Sequence, residues 1–331
     1  MIHITVSGQQ NCIIFDMPLR PNANAVVAAL LRHNQLRARS LIITLFGDAV
    51  APHGARVWMG SLIRMLGPFG INEGMARTAV LRLSRENWLK ARAVGKRSEY
   101  SLTQTGLRQF QPAARHIYSI DQPSWDGHWR VVIALPGKWT VRERRYLRIG
   151  LAWQGFGKLG DGVFLHPSTS LEDALDALPN EDLPRLRGKL LALRGDPPPG
   201  AGAGADARAL VRQAWDLNGL SREYSRFVRR YSSLDGTLAE RATPPQAFTL
   251  RTHLIHEYRR LLLRDPELPD ELLPADWQGR KAHSLAASIY RKLAPSSEAH
   301  LASELLTADG KHPSAKPEFL ARFGGLTPTR E

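Results

Sequence analysis

The sequence predicts an α+β protein of several domains: a winged helix-turn-helix, a ferredoxin-like α/β domain and a helical C-terminal domain. Its 331 residues exceed what one small core accommodates, and 43% of them are hydrophobic, which is enough to form several cores. Residues 37–115 carry the order helix, helix, tight turn, helix, β-hairpin. Strands then alternate with helices over residues 129–193, and helical periodicity returns after residue 207.

The predicted boundaries follow these changes in pattern. They are an N-terminal extension at 1–36, the winged helix-turn-helix domain at 37–120, the ferredoxin-like domain at 121–195, a flexible linker or loop at 196–206, the helical domain at 207–312 and a tail at 313–331. The linker has the composition GDPPPGAGAGAD, which is typical of mobile segments. The first 20 residues look unrelated to the rest, and Met17 is an alternative start. We expect the tail to be loose.

The first domain begins with two helices. Apolar residues recur at helical spacing over 37–48 and again over 57–66, and residues 48–55 between them form a loop with Pro52 and Gly54. The segment Gly67-Pro68-Phe69-Gly70 ends the second helix. Asn72 can then cap a third helix that runs to about residue 87.

A β-hairpin follows the third helix. Residues 89–94 and 97–102 form two short strands, and Gly95-Lys96 between them suits a two-residue turn. Thr103 leads into a further helix. In the second domain the predicted strands are 130–135, 162–166 and 189–193, with helices at 142–153 and 171–178. In the third domain the predicted helices are 207–231, 246–264 and 280–293, with a proline-rich connection at 265–277.

The third helix of the first domain has two distinct faces. Its apolar side is expected to face the core and carries Ala76, Ala79, Val80 and Leu83. The opposite side carries Glu73, Gly74, Arg77, Thr78 and Arg85, with Arg82 near the flank. Such a face can enter the major groove of duplex DNA, where arginine binds guanine edges. The hairpin adds Arg92, Lys96 and Arg97, which are placed to meet phosphates or the minor groove.

The charge distribution supports this interpretation. The chain has a formal net charge of +14, and its residues 37–115 hold 13 Arg or Lys side chains against four acidic ones. A positive surface of this kind attracts nucleic acid, so double-stranded DNA is the predicted partner. A non-specific nucleic-acid-binding protein that relies on charge alone is the alternative.

Several blocks of the sequence resemble the PaaX family. They are RSLIITLFGD at 39–48, residues 58–73, RTAVLRLSRENWL at 77–89, and then residues 125–135, 155–167 and 254–277. The resemblance implies a GntR-like winged helix and a homodimer whose helical domain serves dimerisation and effector binding. It also implies repression of phenylacetate or related aromatic-acid degradation genes, with release from DNA by phenylacetyl-CoA or a related acyl-CoA. The first 36 residues and the GAGAGAD insert are not features of that family.

The resemblance also implies a middle domain similar to the small ferredoxin-like CRISPR-associated nucleases, so a metal-dependent nuclease is an alternative. Those enzymes need an acidic metal ligand at the end of the first strand, but here that strand ends Ala134-Leu135-Pro136. A CoA-thioester hydrolase is a further alternative, but no G-x-S-x-G elbow or P-loop occurs. We therefore predict a protein that is not an enzyme, with no catalytic residues.

Other motifs do not indicate a cofactor or a metal. Gly155–Gly160 matches G-x-G-x-x-G, but a predicted helix precedes it and a strand follows, the reverse of the dinucleotide motif. His253 and His256 share a helix face without a third ligand. The basic segment 142–148 could hold coenzyme A phosphates, contact the DNA backbone or be a solvated face, and the effector residues stay unassigned. The single cysteine and the absence of a signal sequence or long apolar run predict a cytoplasmic protein.

Overall fold

The computed structural model describes residues 23–32, 36–119, 124–176, 186–196, 203–234 and 236–326. In the N-terminal part, the elements are α1 (Ala23–Arg32), α2 (Ala38–Leu45) with a π-helical continuation (Phe46–Val50), β1 (Arg56–Trp58), α3 (Met59–Leu66), α4 (Glu73–Arg85), β2 (Leu89–Val94), β3 (Arg97–Leu102) and α5 (Gln104–Tyr118). The three strands form an antiparallel sheet in the order β1-β3-β2. The predicted third helix and both hairpin strands are confirmed.

Two local predictions for this part were wrong. Residues 57 and 58 were assigned to a helix, but they belong to β1, where Val57 pairs with Tyr100 of β3. A strand of three residues is too short to show a period of two. Residues 48–50 were assigned to a loop, but the helix continues through them because Ala51 N–H donates to the Phe46 carbonyl over 2.7 Å.

The central part has the element order strand, helix, strand, strand, helix, strand. Its elements are β4 (Trp129–Ala134), α6 (Val141–Trp153), β5 (Gly157–Gly160), β6 (Val163–His166), α7 (Leu171–Asp176) and β7 (Leu190–Gly195). The sheet is antiparallel throughout, in the order β5-β6-β4-β7. β5 was missed because it is short and rich in glycine. It occupies most of the G-x-G-x-x-G segment, and the turn before it contains Gly155 at φ 81°.

The C-terminal part is helical. Its elements are α8 (Ala203–Ala214), α9 (Leu217–Tyr231), α10 (Thr237–Glu240), α11 (Pro244–Leu262), α12 (Gln278–Glu304) and α13 (Pro317–Leu320). The predicted helix 207–231 is two helices, because Asp216 caps α9 by accepting a hydrogen bond from Gly219 N–H. α12 continues beyond residue 293 with Pro295 inside it. Of the predicted linker, residues 197–202 lie outside the described residues, and the chain is already helical at Ala203.

The prediction of a loose C-terminal tail was wrong for residues 313–326, while residues 327–331 lie outside the described residues. Phe319 and Phe323 are buried in the core of the helical part, and Lys316 N–H donates to the Pro52 carbonyl over 2.9 Å. These apolar residues are too few and too irregularly spaced to give a periodic signal. The segment is therefore a structural element that closes the core.

The helical part shares cores with the N-terminal part. Phe248, Leu301 and Leu305 pack in the same core as α2, α3 and α4. In the predicted N-terminal extension, Val26 and Leu30 of α1 pack into the core of the helical part. Trp129 and Leu165 of the central sheet lie in the same core as α1 and the helical part, so buried contacts hold the three parts together.

A buried histidine joins the central and helical parts and makes stability depend on pH. His166 Nε2 donates to the Pro266 carbonyl over 2.9 Å, while Nδ1 accepts hydrogen bonds from the amides of Ser168 and Thr169. Burial lowers the pKa of His166 to about 4. In the unfolded chain the pKa is about 6.5, so we expect this contribution to the free energy of unfolding to be lost as the pH falls from about 6.5 towards 4, with a loss of about 1–2 kcal/mol between pH 7 and pH 5.

Urea unfolding at pH 7 and pH 5 measures this loss. The His166→Gln variant can keep the donor to the Pro266 carbonyl but takes up no proton, so its stability should fall less between the two pH values. Equal losses in the variant and the wild type would show that His166 does not contribute.

Candidate nucleic-acid interface

α4 presents the face that the sequence predicts. The side-chain oxygen of Asn72 accepts a hydrogen bond from Met75 N–H over 2.9 Å, which caps the helix as expected. The predicted core residues Ala76, Ala79, Val80 and Leu83 are all buried. This packing fixes the helix axis, and the opposite face is exposed.

The structure places all the predicted α4 site residues on the surface: Glu73, Arg77, Thr78, Arg82 and Arg85. Arg77 forms an ion pair with Glu73 at 2.6 Å, an i,i+4 contact that the spacing could have predicted. Sequence analysis missed Leu81, which is 51% exposed between Thr78 and Arg85. An exposed leucine on such a face can contact the methyl group of thymine.

The hairpin carries the other three predicted residues, and two of them, Arg92 and Arg97, make hydrogen bonds within the protein. Gly95 has φ 58°, a conformation that suits glycine, and Lys96 beside it is exposed. Arg97 lies over the Trp58 ring at 4.5 Å and donates to the Ala308 carbonyl over 3.0 Å. Arg92 donates to Glu99 over 2.9 Å. Arg92 therefore links the two strands of the hairpin, and Arg97 links the hairpin to Trp58 and Ala308.

Glu99 is the buried anchor of this hairpin. Its carboxylate accepts hydrogen bonds from Arg92 and from Ala308 N–H, the latter over 3.1 Å. Ala308 follows α12 in the chain, so the hairpin is attached to the helical part. Arg97 and Glu99 thus connect the hairpin to the segment that follows α12.

A second link between the parts is centred on Asp48, at the π-helical continuation of α2. This carboxylate is buried and accepts from Tyr118 over 2.7 Å, Tyr290 over 2.8 Å, Arg322 over 3.0 Å and Arg251 over 3.1 Å. Burial raises the pKa of Tyr118 well above its ordinary value, so its hydroxyl stays protonated and can donate. We call Asp48 and these four partners the Asp48 cluster. It joins α2 to α5, α11, α12 and the C-terminal segment.

Comparison with known proteins identifies the family. Three family models match the chain in order: PaaX-like protein at residues 37–106, the PaaX protein central Cas2-like domain at 122–186, and the PaaX-like protein C-terminal domain at 215–303. The transcriptional repressor PaaX of Escherichia coli K12 is 36% identical over 296 residues, which cover 88% of this chain and 92% of that protein. The chain belongs to the PaaX family.

A solved structure is also similar to this PaaX-family chain. An uncharacterised protein of Mycobacterium tuberculosis superimposes with a TM-score of 0.51 at 26% identity, covering 80% of this chain and 98% of the other. The family resemblance predicted from the sequence blocks is confirmed. The three matched regions fall within the N-terminal, central and helical parts described above.

The motifs that suggested other chemistry are placed as follows. β4 ends at Ala134, and Leu135 and Pro136 follow without a carboxylate. His253 and His256 are buried, the first 2.6 Å from the Tyr231 hydroxyl and the second 3.0 Å from that of Thr44. The described part of the chain contains no cluster of three or more His, Cys, Asp or Glu side chains suited to a metal ion. Within the same residues, no helix is long and apolar enough to span a membrane.

Proposed function

We propose that this PaaX-family protein is a transcriptional repressor that binds duplex DNA sequence-specifically and controls genes for phenylacetate or related aromatic-acid degradation. The observation that carries the proposal is the exposed face of α4, which carries Arg77, Thr78, Arg82 and Arg85 and is followed in the chain by a hairpin with the exposed Lys96 at its tip. The relative in E. coli bears the name transcriptional repressor. α4 is the DNA-reading helix in this proposal, and the hairpin is its wing.

The order of elements supports this assignment. Helices α2, α3 and α4 are followed by the β2–β3 hairpin, which is the order of elements in a winged helix-turn-helix. β1 completes the three-stranded sheet. For the central part, the order strand-helix-strand-strand-helix-strand and the antiparallel sheet β5-β6-β4-β7 support a ferredoxin-like fold. We propose no catalytic activity for it.

The regulatory part of the proposal includes a dimer and an effector. A two-fold homodimer would place its two α4 helices about 34–36 Å apart, or a multiple of that distance, on the DNA. Phenylacetyl-CoA or a related acyl-CoA would release the protein by binding its DNA-free arrangement more tightly than its DNA-bound one. The Asp48 cluster and Glu99 are physical links through which the helical part could pass that difference to α4 and the wing.

Two substitutions separate base reading from phosphate contact. Arg77→Ala should reduce discrimination between the operator and scrambled DNA, because a good bidentate contact to guanine contributes about 1–3 kcal/mol. Lys96→Ala should weaken binding to all sequences alike and reduce the salt dependence, because a phosphate contact carries no sequence information. Fluorescence anisotropy with both duplexes measures each effect.

These variants also test the alternative of non-specific binding. A protein that relies on charge alone would lose the same affinity for both duplexes with either substitution. Titration of phenylacetyl-CoA into the wild-type complex tests the effector separately: release of specific DNA supports it, and unchanged anisotropy would remove it while leaving the DNA-binding proposal intact.

A further inference from the structure

A large cleft lies beside the exposed face of α4. It has a volume of about 1190 Å³ and is formed by the first turn of α2, one flank of α4 and the last turns of α11. Thr78 and Arg82 belong both to the predicted reading face and to the wall of this cleft. We call it the α2–α11 cleft. The helical part of the chain therefore forms one wall of a depression that opens next to the proposed DNA-reading helix.

The residues that line the cleft include four arginines and no aspartate or glutamate. The arginines are Arg37 at the N-cap of α2, Arg39 in α2, Arg82 in α4 and Arg260 in α11. Arg39 pairs with Glu86, and Arg260 donates to Glu257 over 3.1 Å, but neither glutamate lines the cleft. Among the described residues, neither Arg37 nor Arg82 has an ion-pair partner. The excess charge favours an anionic occupant.

His256 also lines the cleft but adds no charge, because burial lowers its pKa to about 3. The anionic occupant would therefore be held by the arginines.

We propose that the α2–α11 cleft receives the phosphate backbone of the duplex that α4 reads, so that the helical domain binds DNA directly through Arg260. The inference rests on the proposed function. A major groove is about 12 Å wide, and a helix with its side chains is about 10–12 Å across. A helix lying in the groove therefore has a phosphate strand along each flank. On the flank of α4 that carries Arg82, that strand runs into the α2–α11 cleft.

This placement gives the helical part a direct influence on DNA affinity. Arg260 lies on α11, which packs against α2. A displacement of α11 relative to α2 would remove the Arg260 contact from the phosphate strand while leaving the contacts of α4 to the bases in place. A displacement of α11 would therefore change the affinity for DNA directly at the cleft, without a rearrangement of the core beneath α4.

The salt dependence of binding tests the proposal. A duplex from the region upstream of the protein's own gene is bound to wild-type, Arg260→Ala, Arg37→Ala and the double variant at several salt concentrations. Each lost phosphate contact should reduce the slope of log K against log salt by about one, so the double variant should lose about two. Preference over scrambled DNA should not change, and Arg260→Lys should retain most of the wild-type slope.

Arg208→Ala is the matched control, because it removes the same charge at an exposed position that does not line the cleft. Arg208 lies on α8, which packs against β5 of the central sheet. Equal thermal unfolding of all variants shows that they are folded. A wild-type slope in Arg260→Ala, or loss only of the response to phenylacetyl-CoA, would overturn the inference in favour of a small-anion site or none. Failure of the wild-type protein to bind the duplex at all would instead overturn the proposed function, and the inference with it.

Discussion

Replacing Asp48 by alanine is expected to lower the free energy of unfolding by about 3–5 kcal/mol, because two guanidinium groups would lose their buried counter-charge. Arg251 is completely buried, and Arg322 is nearly so. Arg251 would keep only Glu298, at 2.6 Å, and Arg322 would keep carbonyl and hydroxyl acceptors but no carboxylate. The hydroxyls of Tyr118 and Tyr290 would also lose their acceptor. Urea unfolding followed by circular dichroism measures the change.

A surface ion pair provides the control for this prediction. Arg39 and Glu86 form an ion pair whose side chains are both about half exposed, and Glu86→Ala should cost less than about 1 kcal/mol. Asp48→Asn should remain strongly destabilising, since it keeps the shape but removes the charge. A loss in Asp48→Ala no larger than in Glu86→Ala would show that the cluster does not stabilise the fold.

Deleting residues 313–331 is expected to abolish cooperative unfolding or to lower the melting temperature severely. The deletion removes Phe319 and Phe323 from the core and Arg322 from the Asp48 cluster. Truncation of a buried phenylalanine alone costs about 3–5 kcal/mol, and whole domains are stable by only about 5–15 kcal/mol. Thermal unfolding by circular dichroism or calorimetry measures the effect.

Shorter changes make this prediction specific to the buried segment. Deleting only residues 327–331 keeps Phe319, Arg322 and Phe323, so the loss that the longer deletion causes beyond the shorter one measures the contribution of residues 313–326. Phe323→Ala should lose about 3–5 kcal/mol by itself. A deletion of 313–331 that melts like the wild type would support a loose tail, as the sequence alone predicts.

Features encoded by neighbouring residues were predictable from the sequence. α4 and the hairpin follow from short-range signals: an asparagine cap at Asn72, an apolar stripe at helical spacing and a glycine at the turn. The exposed positions of α4 then follow from the helix period alone. The ion pair between Glu73 and Arg77 was equally local and could have been read from its i,i+4 spacing.

Features that depend on distant residues were not predictable. Asp48 was assigned to a loop, and its partners Tyr118 and Arg322 are 70 and 274 positions away in the chain. Arg97 was assigned to contact with phosphates or the minor groove, and its hydrogen bond to the carbonyl of Ala308, 211 positions away, was not foreseen. No local pattern in the sequence reports such contacts, because they arise only when the helical part packs against the N-terminal part.

Sequence-specific binding by α4 and the wing is tested most directly by fluorescence anisotropy at physiological salt. The purified protein is titrated against duplex DNA from the region upstream of its own gene, with a scrambled duplex of the same length and composition as competitor. We expect the upstream duplex to be preferred by about 10³-fold or more, the lower range for specific DNA-binding proteins. Equal affinity for the two duplexes would contradict the proposal of a sequence-specific regulator. The positive charge would then account only for non-specific attraction to DNA.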